Sequence, residues 1–582
     1  MSLDGQTEAD IGPEATITTD PGLPGLLPGA AGQSGVAGHA GVARQGPAVG
    51  LAGVAGRASA AAGGGPASRR SDWVPWLISL VVFAAYSVIS ISRYVRLDPG
   101  SWDLGIFTEY VKQFAHLQAP IVNIRGSGFN LLGDHFQPIV ALIAPIFRLF
   151  PSPVTLLLAQ ALLIALSVIP VSRAATAKLG PAAGRVIGAA YGFSWGLQQM
   201  IDFDFHEIAF AVPLLACSLS ALLRGRTRAC VLWALPLVFV KEDQGFTVAA
   251  IGAILLIAAG RTWRRAAAEN STAKDGTPED STPEDSTPED STPEDSTPED
   301  SAAAASSIRK ADAGLFLVVW GIAWSLVEIV FIIPHFNVTH QYPYWFDGGS
   351  VVGAGHHSVV TLLGQVTQGY RTKLDTTALI LLPVAFLALR SPIALAAVPS
   401  LALRFISTNT NFWGTGWHYN ATVMPIVFIA AIDGLARIQA AGAAAGQARR
   451  MLVTAAVRFS PAAMLVIAVL LAFRFPLADL WNPQTYTIDQ HVRAENAAMA
   501  RVPDGATVEA TLTMLAPLAD RTDTFWIGTY PNPAPEYIVF DESDSGWNPA
   551  PADVLAFVES RHPGAAYRQI FLANDVYVFR RS

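Results

Sequence analysis

The sequence predicts a polytopic α-helical membrane protein with about eleven transmembrane helices and a small α/β domain at its C-terminal end. Three observations predict it. Of the 582 residues 51% are hydrophobic and only 14% charged, against about a quarter in soluble domains, and mean hydropathy is +0.37. Apolar stretches of about 20 residues, the length that crosses a bilayer, recur between residues 73 and 473. Beyond Phe475 the composition turns mixed and charged, and ATVEATLTML, EYIVFDE and DVYVFRR alternate as strands do, while ADVLAFVESRH reads as a helix.

Residues 1–72 are Gly, Ala, Pro and Ser with few large apolar side chains, too few to offset the entropy of folding, and are expected to be a disordered cytoplasmic tail. Arg69 and Arg70 precede the first apolar run and read as cytoplasmic anchoring charges; a twin-arginine export signal would need a cleavage site that does not follow. Membrane parts at 73–265 and 312–474 flank a linker at 266–311 that holds GTPED and four STPED copies, a solvated, extended composition expected to be disordered. The net charge of −8 belongs to that linker: its five TPED units carry ten acids, and without them the balance is +2. No nucleic-acid partner is therefore expected. Cys217 and Cys230 lie in apolar runs and offer neither a disulfide framework nor a CxxC metal site.

Spans are expected at 73–93, 152–171, 182–201, 207–223, 229–241, 244–260, 312–334, 374–390, 392–407, 419–436 and 452–473. The segment 136–150, QPIVALIAPIFRLFP, is short, carries prolines and Arg148, and decides the orientation. If it lies on the outer surface as an interfacial or re-entrant helix, the loops with Arg173, Lys178 and Arg185, with Arg224, Arg226 and Arg228, with Arg261, Arg264 and Arg265, and with Arg437, Arg449 and Arg450 all fall inside, as cytoplasmic loops require. The N terminus is then cytoplasmic, and the first loop (97–151) and the domain at 475–582 are extracytoplasmic. Arg93, Arg96, Arg125, Arg148, Arg371, Lys373 and Arg404 stay outside, against the pattern.

In this topology the ionisable residues of the membrane body gather on one side. Asp103, Asp134 and His135 lie in the first loop, Asp202, Asp204, His206 and Glu207 in DFDFHE, and Lys241, Glu242 and Asp243 in the turn after the fifth span. His335, His340, Asp347, His356 and His357 follow in a later outer loop, and His418 with Tyr419 opens the tenth span. Charges at membrane depth are costly and face a cavity or a partner, so their convergence implies one polar cavity at the outer leaflet. Each group has a plainer role open to it. Asp103 suits a helix N-cap, and Asp134 with His135 suits loop hydrogen bonding. On a helix, Asp204 and Glu207 would share a face, a spacing that leaves a divalent ion as an alternative. Lys241 suits neutralisation of Glu242, and His356 and His357 suit an inert Gly-rich loop.

The order of DLGIF (Asp103–Phe107), GDHFQP (Gly133–Pro138), DFHE (Asp204–Glu207), KED (Lys241–Asp243) and HY (His418–Tyr419), with the run Thr511–Asp541, resembles the bacterial membrane family catalogued as domain of unknown function 2079. More broadly it resembles membrane glycosyltransferases of the GT-C fold. That resemblance implies an acidic base in the first outer loop, Asp103 here, and a polyprenyl-phosphate sugar as donor in the membrane lipid, with an extracytoplasmic glycan or protein as acceptor. Asp134, His135, Asp204, His206, Glu207, Lys241, Glu242, His418 and Tyr419 would bind sugar or acceptor hydroxyls. Arg371, Lys373 and Arg404 would meet the donor phosphate, which would account for their place outside. A transporter or lipid flippase, or a non-catalytic envelope-assembly protein, remains the rival class; the ionisable groups lie at span ends rather than on broken helices at mid-membrane, where transporters hold them.

Overall fold

The first apolar run folds as α1 (Val74–Val95), with Pro75 in the opening turn where its missing N–H removes no helical bond. A computed structural model describes residues 72–274, 298–344, 364–443, 446–543 and 551–582. The tail at 1–71, the STPED copies up to residue 297, Asp347, His356 and His357 lie outside the described residues. The first loop contains α2 (Asp103–Ala115) and α3 (Ala144–Leu149). The body continues with α4 (Pro153–Leu179), α5 (Pro181–Gly192), α6 (Trp195–Asp202), α7 (Ala211–Leu223), α8 (Thr227–Ala234), α9 (Gln244–Lys274) and α10 (Pro298–Val327). It ends with α11 (Ile333–Phe336), α12 (Tyr370–Leu381), α13 (Val398–Ile406), α14 (Val423–Ala443) and α15 (Gln447–Ala472).

Among the described residues six helical stretches are long and apolar enough to cross a bilayer: Val74–Val95, Pro153–Leu179, Gln244–Arg264, Ala304–Phe336, His418–Ala443 and Gln447–Ala472. The other five expected spans are short or broken. The run 182–201 divides at Phe193 and Ser194 into α5 and α6. The run 374–390 breaks after α12, where Ala385 and Phe386 take positive φ. At 229–241 and 392–407, Pro236 and Pro392 open 3-10 turns. Hydropathy averages over such breaks, whereas each proline removes a backbone donor. The segment 136–150 is a 3-10 turn, Pro138–Ile143, running into α3, and exposes Leu142, Ile146, Leu149 and Phe150 as an interfacial helix would.

The expected linker is shorter than 266–311, because α9 runs on to Lys274 and α10 begins at Pro298. The Ala-rich flanks AAAEN and SAAAASS favour helix and extend both. These two helices pack closely through small residues: a Cβ on Gly245 or on Gly321 would overlap the other's carbonyl oxygen. The span containing α14 is the centre of the bundle, 78% buried in its most apolar window, against 22% for the span at α15.

The C-terminal part contains α16 (Gln490–Met499), β1 (Thr507–Ala510), α17 (Leu512–Ala519), β2 (Asp523–Trp526), β3 (Tyr537–Asp541), α18 (Val554–Arg561), β4 (Tyr567–Ala573) and β5 (Val576–Arg581). The sheet order is β2-β1-β3-β5-β4, with β1 parallel to β2 and β3 and the last two pairs antiparallel. Of ATVEATLTML only the first half is strand; the rest is α17. This helix packs on α2 so closely that a Cβ on Gly105 would lie 3.2 Å from that of Leu515. Lys112 Nζ donates to the carbonyls of Ala519 and Thr522, both at 2.7 Å, and the Trp102 and Trp526 rings meet at 4.5 Å. The sheet therefore shares a core with the first loop.

Candidate functional site

Gly133 fixes one wall of the site. A Cβ there would lie 2.6 Å from the backbone of Phe336 and Asn337, and Asn337 Nδ2 donates to the Gly133 carbonyl at 2.8 Å. This contact holds Asp134 and His135 against the chain leaving α11. The Tyr344 hydroxyl donates to Asp134 Oδ1 (2.9 Å), its ring stacks on His135 at 4.5 Å, and Arg125 pairs with Asp134 Oδ2 at 3.2 Å. His135 Nδ1 lies 2.7 Å from Glu242 Oε1, which also accepts from the Tyr342 hydroxyl at 2.9 Å. Burial pushes the Asp134 carboxyl up, but Arg125, His135 and the tyrosine hydroxyl outweigh it and hold the group below the ordinary carboxylate range. Burial pushes the His135 imidazole down, and Glu242 outweighs it, so His135 sits above its ordinary value.

The second wall is the turn between α6 and α7. It is not helical, so the helix-face spacing expected for Asp204 and Glu207 does not arise: Asp204 takes φ of 71° and its Oδ2 accepts the Gly100 N–H at 2.7 Å. Burial pushes the Asp204 carboxyl up to about 7, against Arg93 and that N–H. Glu207 turns the other way, with Oε2 2.5 Å from His206 Nδ1 and Oε1 3.3 Å from Lys241 Nζ. Asp202 pairs with Arg93 at 3.0 Å rather than facing His206. Among the described residues Asp204 and Glu207 belong to no group of three convergent metal-ligand atoms. The buried Gln160 pins the turn: its Nε2 donates to the carbonyls of Met200 and Asp204 and its Oε1 accepts the His206 N–H at 3.0 Å. The His206 ring stacks on His418 at 3.7 Å, and His418 meets Tyr419 at 4.2 Å.

Lys241 closes the cluster between Glu207 and Glu242; both carboxylates are buried. Burial pushes Glu242 up, and His135 and Lys241 together hold it below the ordinary range. One contiguous acid–base network thus draws on Asp134–His135, His206–Glu207, Lys241–Glu242 and His418, from four separate stretches of chain.

Asp103 starts α2, three residues after Gly100, whose N–H bonds Asp204. It does not cap the helix: Trp102 occupies that position without a side-chain bond. The Asp103 Oδ2 accepts the Ser101 hydroxyl at 2.6 Å, the side chain is half-buried, and it makes no ion pair among the described residues. A half-exposed carboxylate held by one hydroxyl can accept a proton from a ligand.

Two of the three expected phosphate ligands are spent on the protein itself. Lys373 is buried, donates to the carbonyls of Gln365 (2.7 Å) and Phe405 (2.8 Å), and lies 4.1 Å over the Trp413 ring. Arg404 is buried too, donating to the Phe412 carbonyl (2.9 Å), Asn420 Oδ1 (3.0 Å) and the Tyr419 carbonyl (3.3 Å). Both brace the loop between α13 and α14 that carries His418 and Tyr419. Arg371 is exposed, with its Nε donating to the Tyr370 hydroxyl at 3.3 Å and its guanidinium 5.9 Å from the centre of that ring. Arg125, Tyr342 and Tyr344 are cluster residues to which the sequence assigns no role; Arg125 is marked only by its place outside against the charge pattern, and the tyrosines only by the run QYPYW, which reads equally as an interfacial aromatic belt.

Among solved structures the chain is similar to ArnT from Cupriavidus metallidurans bound to undecaprenyl phosphate, at TM-score 0.47 and 14% identity over 88% of this chain and 98% of that one. The same protein in the apo state gives TM-score 0.45 and 14% identity, over 86% and 97%. The Archaeoglobus fulgidus oligosaccharyltransferase in the apo form gives 0.37 and 13%, over 88% and 75%. At these scores the likenesses establish neither fold nor chemistry. No curated protein matches the chain. The model of the family described as predicted membrane protein (DUF2079) matches residues 93–578, from the end of α1 to β5 and through every wall of the cluster. The chain belongs to that family of membrane proteins.

Proposed function

We propose that this chain is an integral-membrane glycosyltransferase of GT-C type that moves a sugar from a polyprenyl-phosphate donor to an extracytoplasmic glycan or protein acceptor. The observation that carries the reading is the network of Asp134, His135, His206, Glu207, Lys241, Glu242 and His418, gathered at the ends of apolar helices, with the half-exposed Asp103 three residues after Gly100, whose N–H bonds Asp204. In the reaction an acceptor hydroxyl oxygen attacks the anomeric carbon, the bond from that carbon to the phosphate oxygen breaks, and the phosphate leaves with the electron pair. Asp103 takes the hydroxyl proton as the new bond forms. Arg125 and Lys241 are the cations on the cluster that would stabilise the departing phosphate, in place of Lys373 and Arg404. The remaining acids and imidazoles, with Tyr419, would hold sugar or acceptor hydroxyls. The cluster, the first loop and the C-terminal sheet would face the outside, with the N terminus and the linker in the cytoplasm.

A second reading, as a transporter or flippase, has one observation in its favour. Glu328 is fully buried in a π-helical turn of the span Ala304–Phe336, and among the described residues neither carboxylate oxygen has a hydrogen-bond partner. One experiment separates the two. Lipid-linked sugars and envelope glycans are compared between a deletion strain and its parent, and the changed sugar is then offered on its lipid carrier to solubilised membranes. An enzyme transfers the sugar in detergent, where no compartments exist; a flippase does not.

A further inference from the structure

We propose that the C-terminal domain holds a zinc-class divalent metal ion on His491, Glu495 and Asp541, a site separate from the membrane cluster and independent of the glycosyltransferase reading. The three residues come together through two elements. Asp489 caps α16 by accepting the Val492 N–H at 2.8 Å, which sets His491 and Glu495, four residues apart, on one face of the helix. Asp541 ends β3, at the C-terminal edge of the parallel strands, where open α/β sheets place their ligands. One ligand atom from each residue lies within 4.8 Å of the others, and His491 Nε2 is 3.0 Å from Asp541 Oδ2. That separation is close to the edge of a coordination polyhedron with metal–ligand bonds of about 2.0 to 2.2 Å.

The surroundings are those of a built site. Asp541 is 1% and Glu495 2% exposed, so two carboxylates have been taken out of water, whereas the His491 side chain is 32% exposed and leaves the site open on one side. Each carboxylate is held by the protein: Asp541 Oδ1 accepts the Ser543 N–H and hydroxyl, both at 2.9 Å, that hydroxyl also lying 3.1 Å from His491 Nε2, and Glu495 Oε1 accepts the Thr513 hydroxyl at 2.6 Å. Outer hydroxyls of this kind orient metal ligands. A His–Asp hydrogen bond alone does not account for the approach of a Glu495 oxygen to within 4.8 Å of both partners. One imidazole and two carboxylates carry two negative charges, suit zinc, and are softer than the all-oxygen sets that favour magnesium or calcium. The ion would tie α16, the first helix after the last span, to the end of β3.

The test is zinc titration of the full-length protein, purified in detergent and stripped with a chelator, read by calorimetry and by metal content after desalting. The expected result is a zinc ion per chain that magnesium does not displace. It should be lost in His491→Ala and Asp541→Asn, retained in Glu207→Gln, and weakened about 10- to 100-fold in Thr513→Val, which keeps every ligand. No retained zinc in the parent overturns the proposal. So does unchanged zinc in His491→Ala and Asp541→Asn proteins of parental helix content, or zinc lost in Glu207→Gln and kept in the other two.

Discussion

At the scale of single residues, the ionisable groups of the cluster were legible because charge stands out in an apolar chain. Asp134, His135, Glu207, Lys241, Glu242 and His418 do meet, as their common side suggested. The phosphate role expected of Lys373 and Arg404 meets a physical obstacle. Sequence shows that Lys373 and Arg404 break the positive-inside pattern, but not that nearby backbone carbonyls use their protons. Tyr342 and Tyr344 were illegible because a tyrosine near a span end has a generic explanation. Glu109 is a further residue that only the structure singles out. It is fully buried on α2; Oε2 accepts the Ile124 N–H at 3.2 Å and Oε1 has no hydrogen-bond partner among the described residues. Burial pushes its carboxyl up to about 7, against Lys112 and the backbone N–H groups. An acid whose native value lies above its unfolded value keeps its proton on folding, so stability falls as pH rises from about 4.5 to about 7 and stays low above that. The loss is on the order of 3 kcal/mol. Glu109→Gln should abolish this fall: in denaturant titrations it should match the parent near pH 4.5 and exceed it at pH 8. Equal stability at pH 8 would show that burial does not raise the native carboxyl.

At the scale of elements, the positions of helices were readable and their continuity was not. Apolar runs mark α1, α4, α9, α10, α14 and α15, but the division between α5 and α6 and the breaks after α12 depend on local backbone geometry that a hydropathy window averages away. In the C-terminal domain β2 and β4 went unread, being short or largely exposed on one face. The hairpin of α9 and α10 offers a direct test of close packing. Gly321→Ala adds one methyl group against the Gly245 carbonyl and should destabilise the protein by about 1 to 3 kcal/mol. A Cβ at Gly260 meets nothing within 4 Å among the described residues, so Gly260→Ala should be neutral or slightly stabilising. Thermal unfolding in detergent would rank the two, and equal midpoints would contradict the packing account.

At the scale of the whole molecule, the sheet packed on α2 and the acid–base cluster belong to one body from Trp73 to Ser582, so whatever faces the first loop also faces the C-terminal domain. Reporter fusions at about residue 285 and at the C terminus should therefore report opposite compartments, cytoplasm for the first and exterior for the second. The same compartment for both would remove the proposed orientation. Sequence alone could expect a separate outer domain, because composition changes sharply after Phe475; the shared core with α2 rests on contacts across more than 400 residues of chain, such as Lys112 to Thr522, and no local pattern carries it. The central claim is that this assembly transfers sugar with Asp103 as base, and Asp103→Asn tests it most directly. The substitution keeps size and the Ser101 contact but cannot take a proton, so sugar transfer should fall about 10²- to 10⁴-fold with insertion and yield preserved. An Asp103→Asn protein that restores the glycans of a deletion strain at parental expression would contradict the account.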